Sequence, residues 1–267
     1  MNSVNVAVSS NYIEVNGIRM HYEETGNGTP LVLLHGGNLN ANFNWKSYYP
    51  IFSQHFRVIA PDSRGHGKSD NPTKEFSCRL MCDDVVALIK ALELYRPLVV
   101  GYSDGGHIAL EIGIEYPETA RAIIAGGVLA EISQEYIDCM NSWGVNGPGD
   151  VDFNKYESKF PRFVPILEEI HSSIYGKDYW KELFTNLSKL WMDPNEFPGD
   201  RVRKISVPTL ILNGDRDEIG PLDDPIRIFR MIPKGELSII PNADHMAVLS
   251  KVDMFSKVML DFLKRHE

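Results

Sequence analysis

Short, unbroken apolar runs recur along the first half of the chain, at Leu31-Val32-Leu33-Leu34, Val58-Ile59-Ala60, Leu98-Val99-Val100 and Ala122-Ile123-Ile124-Ala125. They return near the end at Thr209-Leu210-Ile211-Leu212 and across residues 237–240. Runs this short, without polar alternation, suit strands of a parallel sheet covered on both faces. Between them lie stretches of helical spacing. In residues 79–94, Leu80, Ala87, Leu88, Ala91 and Leu92 fall mostly on one stripe, and residues 107–116 continue the pattern. Ahead of the first run, residues 13–15 and 20–23 flank Asn16-Gly17, a dipeptide that tolerates positive φ and so favours a tight hairpin. The alternation predicts an α/β fold built on a mostly parallel, doubly wound sheet.

The alternation stops after Gly126-Gly127. Residues 131–200 carry helical segments broken by Pro and Gly, together with twelve aromatic residues, Trp143 among them, and seven of the nine net negative charges. The expected organisation is therefore a core of residues 1–130 and 201–267 with a helical cap, 131–200, inserted over the carboxyl edge of the sheet. Open α/β sheets bind ligands at that edge. Most of the aromatics are expected to pack the insertion's own core.

Composition narrows the partners. At 267 residues, with 43% apolar and 24% charged positions, the chain is ordinary for a globular protein of one or two domains. A net charge of −9 repels phosphate backbones and anionic lipid, which argues against nucleic acid and membrane surfaces. No apolar run is long enough to span a bilayer. Residues 1–11 hold neither a basic nor an apolar block, so a signal or transit peptide is not expected. Cys78 and Cys82 lie four apart on an expected helix, and the three cysteines cannot all pair; reduced thiols and a cytoplasmic location follow. The cysteines have no zinc spacing and no His-x-x-x-His pair occurs, so neither metal nor other cofactor is expected. Gly67-Lys68-Ser69 resembles the end of a phosphate-binding loop, but Asp62 stands where that loop needs glycine. The oligomeric state, monomer or homodimer, stays open.

The candidate chemistry sits at strand ends. Gly101-Tyr102-Ser103-Asp104-Gly105 follows one apolar run and precedes a helical pattern, the context of a G-x-S-x-G nucleophile elbow. Ser103 then needs a histidine base and an orienting carboxylate, in the chain order Ser, acid, His. Asp215 and Asp217 follow the run at Thr209, and His245 follows residues 237–240. Elimination favours His245: His21 falls in the hairpin, His35 in a glycine turn, His66 in a loop, His107 within the helix after Ser103, His266 at the tail, and His55 and His171 away from strand ends. Asp217 is the preferred acid, with Asp215 and then Glu131 as alternatives. The backbone N–H groups of Gly37 and Asp104 are the expected oxyanion donors. Gly36, Asn38, Asp104 and Trp143 are the expected substrate contacts.

At these residues the chain resembles the α/β-hydrolase superfamily. The resemblance rests on Leu34-His35-Gly36-Gly37, on Asp62-Ser63-Arg64-Gly65-His66-Gly67-Lys68-Ser69, on the elbow, on Gly214 with Asp217 and Pro221, and on Asp244-His245. It implies an α/β-hydrolase fold, a structural role for the 62–69 stretch and a lid-like cap over the site. Related dehalogenases and epoxide hydrolases use aspartate at the elbow. Serine instead implies esterase, lactonase, thioesterase, peptidase, carbon–carbon hydrolase or cofactor-free perhydrolase chemistry, and some members with this fold are small-molecule receptors. Asp104 departs from the usual apolar residue after the serine. The variant Ser-Asp-Gly-Gly is shared with hydrolases of aminoacyl esters, where the acid receives a cationic amine; the alternative is a solvated carboxylate favoured by the helix dipole. The expected activity is cleavage of a carboxylic ester or lactone in a bulky, amine-bearing small molecule, of which aminoacyl esters and the substrates of macrolide esterases are examples.

Overall fold

The computed structural model describes residues 6–267; residues 1–5, part of the stretch read as lacking a leader, lie outside the described residues. Strands β1 (Ser9–Val15) and β2 (Ile18–Thr25) form the expected antiparallel hairpin, and Asn16 and Gly17 both take positive φ, 46° and 78°. They lead into β3 (Thr29–Leu34), α1 (Ala41–Trp45), α2 (Tyr49–Phe52), β4 (Phe56–Pro61), α3 (Cys78–Ala91), β5 (Leu98–Tyr102), α4 (Asp104–Glu115) and β6 (Ala122–Gly126). An insertion follows, with α5 (Gln134–Ser142), β7 (Val145–Gly147), β8 (Asp150–Val151), α6 (Phe153–Lys159), α7 (Val164–Tyr175) and α8 (Tyr179–Trp191). The chain then returns through β9 (Thr209–Gly214), α9 (Asp223–Met231), β10 (Gly235–Ile240), α10 (Ala247–Ser250) and α11 (Val252–Arg265).

The main sheet has the order β1-β2-β4-β3-β5-β6-β9-β10, with every pairing from β4 onward parallel. The apolar runs of β3, β4, β5, β6 and β9 are strands buried on both faces, whereas β10, at the sheet edge, is half-buried. One face packs on α3, α4 and α9, the other on α1, α2 and α11. From β3 the chain crosses first to β4 on one side and then to β5 on the other. This is a topological switch point, where the loops after neighbouring strands part and leave a crevice. The loops carrying His35 to Asn38 and Ser103 both open there.

Three local expectations are corrected. Helix α3 ends at Ala91 rather than at residue 94, because Glu93 turns to φ 52° and the Leu94 N–H reaches back to Ile89 O. Helix α4 begins at Asp104, three residues before its apolar pattern. Gly105 and Gly106 carry no side chain to mark the start, and a Cβ on Gly105 would run into the Leu34 backbone. The insertion is not wholly helical, since β7 and β8 pair as a short antiparallel hairpin turned through Gly149 at φ 77°.

The 62–69 stretch is held by its own network. Asp62 accepts from Ala41 N, Lys68 N and His21 Nδ1 at 2.8–2.9 Å, while Arg64 makes a buried two-point pair with Asp84 at 2.6 and 2.7 Å. Among the described residues, no helix is long and apolar enough to cross a membrane.

Candidate active site

The elbow shows its strain directly: Ser103 sits at φ 56° and ψ −123°, a conformation that L side chains rarely adopt. Two features hold it there. Its N–H donates to Gly126 O at 2.8 Å, and Gly101 makes room for the turn, since a Cβ on it would collide with the Gly105 backbone. The hydroxyl is left at the start of α4, facing the crevice.

The loops after β9 and β10 deliver the two other expected groups. His245 Nε2 lies 3.0 Å from Ser103 Oγ, and His245 Nδ1 lies 3.0 and 2.9 Å from the carboxylate oxygens of Asp217. Asp217 Oδ1 also accepts from the N–H groups of Ile219 and Gly220 at 3.0 and 3.1 Å. Burial pushes the Asp217 carboxyl up, but His245 and these N–H donors prevail and hold it below the usual range. Burial likewise pulls His245 down, yet the Asp217 charge and hydrogen bond leave it raised above 6.5. Tyr102 supports the imidazole face, with ring centroids 5.4 Å apart. The alternative acids lie elsewhere: Asp215 accepts from Ala243 N at 3.2 Å and caps the turn, and Glu131 pairs with Arg227.

The glycine turn after β3 faces the same hydroxyl. Gly36 N–H donates to Asn44 Oδ1 at 3.0 Å, Asn38 N–H to His66 Nε2 at 3.3 Å, and Leu39 N–H to Gly36 O at 3.3 Å. Among the described residues, no acceptor engages the Gly37 N–H, so it remains available to a ligand. A side chain at Gly37 would run into the Asp104 carboxylate and Trp191.

Over Ser103 lies a cavity of about 230 Å³ whose wall includes Gly36, Gly37, Asn38, Asp104 and Trp143. Eight of the twelve aromatics of the insertion line it, including Tyr136, Phe160, Phe163 and Phe197, so most of them face the cavity while packing against one another. The charged side chains on the wall are Asp104, Glu196 and Glu218, with no Lys or Arg among the lining residues. The Asp104 side chain is half-buried on the cavity wall. The Trp191 indole N–H donates to both of its oxygens at 3.0 Å, and burial, partly offset by that bond, pushes its carboxyl up to about 6.

Several contributors escape sequence reasoning. Trp191 ends an amphipathic helix and has an aromatic signal but no directional one. Asn44, which occupies the Gly36 N–H, is one polar residue among many. His107 also lines the cavity; burial holds it down at about 4, and its Nε2 accepts from Leu129 N at 3.1 Å, so it is a neutral wall residue. Among the described residues, no group of three or more His, Cys, Asp or Glu side chains is placed to hold a metal ion.

The model of the alpha/beta hydrolase family matches residues 31–256, and the chain belongs to that family. Among its relatives, it is 27% identical over 270 residues, 95% of this chain and 90% of the other, to a 2-hydroxy-6-oxo-6-(2'-aminophenyl)hexa-2,4-dienoic acid hydrolase of Metapseudomonas resinovorans. It is 27% identical to the serine hydrolase BPHL of Homo sapiens, covering 97% of this chain and 87% of that one. A solved thermophilic esterase from Thermogutta terrifontis is similar with a TM-score of 0.76 and 25% identity, over 97% of this chain and 100% of the other. A meta-cleavage product hydrolase from Pseudomonas fluorescens shares the fold with a TM-score of 0.81 at 22% identity, over 96% and 98% of the two chains.

Proposed function

We propose that this protein is a serine esterase or lactonase whose substrate is a bulky, largely apolar small molecule carrying a basic amine. Ser103 is the nucleophile, His245 the base and then the acid, and Asp217 the group that orients the imidazole and stabilises its cation. As Ser103 Oγ attacks the carbonyl carbon, its proton passes to His245 Nε2. The N–H groups of Gly37 and Asp104 receive the oxyanion. Collapse of that intermediate transfers the proton to the leaving alkoxide and leaves an acyl-enzyme; water, deprotonated by the same imidazole, releases the acid.

The observation that carries the substrate class is the charge of the cavity wall. Three carboxylates and no Lys or Arg line it, and one of the carboxylates, Asp104, follows the nucleophile directly. Such a wall attracts an ammonium group, and the aromatic faces around it do the same. It repels a substrate that is itself an anion. The relatives named as dienoic acid hydrolases act on carboxylic acids by name, and this wall offers an acid no countercharge, which favours ester or lactone cleavage over carbon–carbon cleavage here. The three free cysteines, two of them buried, suit a reducing compartment such as the cytoplasm.

A pair of esters identical except for a tertiary amine replaced by carbon tests the reading. Wild-type kcat/KM is expected to favour the amine, and Asp104→Asn to remove the preference while leaving the neutral ester almost untouched. Equal kcat/KM for both esters in the wild type would reject the amine-binding reading.

A further inference from the structure

Asn38, next to the Gly37 donor, takes φ 54°, the left-handed region that a non-glycine residue enters only when its surroundings hold it there. Two imidazoles hold it. Its N–H donates to His66 Nε2, and its carbonyl accepts from His171 Nε2, both at 3.3 Å. His66 comes from the loop after β4, whereas His171 comes from α7 of the insertion. The other nitrogen of His171, Nδ1, accepts from the Gly67 N–H at 2.9 Å. A backbone N–H can only donate, so the His171 proton must reside on Nε2, the atom facing the Asn38 carbonyl. By the same logic the His66 proton resides on Nδ1, where it meets Arg64 O at 2.9 Å. Both rings are buried and neutral.

The same helices grip the same loop twice more. Tyr175 Oη donates to Ser69 O at 2.7 Å and Tyr179 Oη to Gly65 O at 3.0 Å, with the two rings stacked 3.9 Å apart. The 62–69 stretch is thus the seat on which the insertion rests. Among the described residues, His171, Tyr175 and Tyr179 reach from the insertion into it through side-chain hydrogen bonds, and of these His171 continues to the turn that carries Gly37.

We propose that His171 is a positioning residue for the reaction: by tying the Asn38 carbonyl to the Gly67 amide, it fixes the turn that aims the Gly37 N–H, so that the oxyanion site is complete only when the insertion is seated. The proposal rests on the assignment of Gly37 as an oxyanion donor. The core fixes the Gly36 end of the turn through Asn44 Oδ1 at 3.0 Å and His35 Nδ1 at 2.8 Å, whereas the Asn38 end is bonded to His66 and, from the insertion, to His171. A donor displaced by about 1 Å forfeits on the order of a hundredfold in rate.

The test compares an ester with the thionoester that has sulfur for the carbonyl oxygen, on wild type, His171→Ala, His171→Gln and Tyr175→Phe. Sulfur is a weak hydrogen-bond acceptor, so the thionoester draws little from the oxyanion donors. In His171→Ala, kcat for the ester is expected to fall about tenfold or more with KM within about threefold, and the ester-to-thionoester ratio to fall with kcat. Glutamine has one donor and one acceptor to offer the same two partners, so His171→Gln is expected to restore most of the ratio. Tyr175→Phe, which loosens the seat without touching the turn, is expected to leave the ratio unchanged. Should His171→Ala lose its fold, His171→Met fills similar volume without the hydrogen bonds and takes its place. An unmoved ratio in His171→Ala, or an equal fall in Tyr175→Phe, overturns the proposal while leaving the proposed function standing. A wild type that turns over no ester overturns the proposed function itself.

Discussion

The loops at the carboxyl ends of β3, β5, β9 and β10 and the insertion between β6 and β9 meet at one cavity, but they contribute different things to it. The strand-end loops bring a hydroxyl, an imidazole and a carboxylate into a line of 2.9–3.0 Å contacts. The insertion brings aromatic wall, the indole that binds Asp104 and the imidazole that binds Asn38. In the proposed mechanism, bond breaking falls to the strand-end loops, and selection and alignment fall to Asp104 and the insertion packed beside it. Substitutions of Ser103, His245 and Asp217 are therefore expected to act on every substrate alike, and substitutions of Asp104 and of the insertion to act on some substrates more than others.

The largest effect is expected at Ser103. Ser103→Ala should lower kcat by about a thousandfold or more for amine-bearing and neutral esters equally and abolish covalent labelling by a fluorophosphonate. Labelling that persists in this variant would move the nucleophile elsewhere. Asp217→Asn comes next, with kcat expected to fall on the order of a thousandfold. A second signature accompanies it. Because Asp217 holds His245 above 6.5 against the pull of burial, kcat/KM of the wild type should fall as acid is added through that raised value. In Asp217→Asn the acid limb should move to lower pH, and a pH–rate profile checks the direction.

Changes beside the insertion are expected to be smaller and selective. Asp104→Asn should lower the amine-to-neutral ratio of kcat/KM by about tenfold to a hundredfold, the range of one charge-assisted contact. The same variant should gain stability. The Asp104 carboxyl is raised from 3.8 to about 6 in the fold, so the folded protein holds a proton that the unfolded chain releases between those values. Stability is then lost as pH rises through that window, and removing the group should recover at most about 3 kcal/mol above it and nothing below it. Thermal melts on either side of the window measure the difference. The smallest effect is expected from Trp191→Phe. Losing the indole donor should raise the Asp104 carboxyl further and shift the onset of amine preference to higher pH, without altering the neutral ester.

The same division explains what the sequence reveals. Ser103 and the strand before it announce themselves because an elbow needs glycines at fixed offsets and a buried parallel strand needs an unbroken apolar run, whereas His245 follows from chain order and elimination. The choice between Asp215 and Asp217 was open in the sequence, since both follow β9 and only the turn's geometry separates the one that meets Ala243 N from the one that meets His245. Trp191 and His171 carried no such mark. Each belongs to a helix whose period explains it as packing, and its partner lies 87 or 133 residues away along the chain. A contact made by docking one segment on another leaves no local pattern, which is why elimination set His171 aside.

Whether Asp104 selects a cation for a reaction carried by Ser103 can be read from wild-type kcat/KM for the tertiary-amine ester divided by that for its carbon isostere, followed from about pH 5 to about pH 8, where the amine stays protonated and the effect of His245 cancels. The ratio is expected to climb as pH rises through about 6, the point at which the Asp104 carboxyl gives up its proton, and to stay flat in Asp104→Asn. A wild-type ratio near one that does not change with pH would contradict the claim.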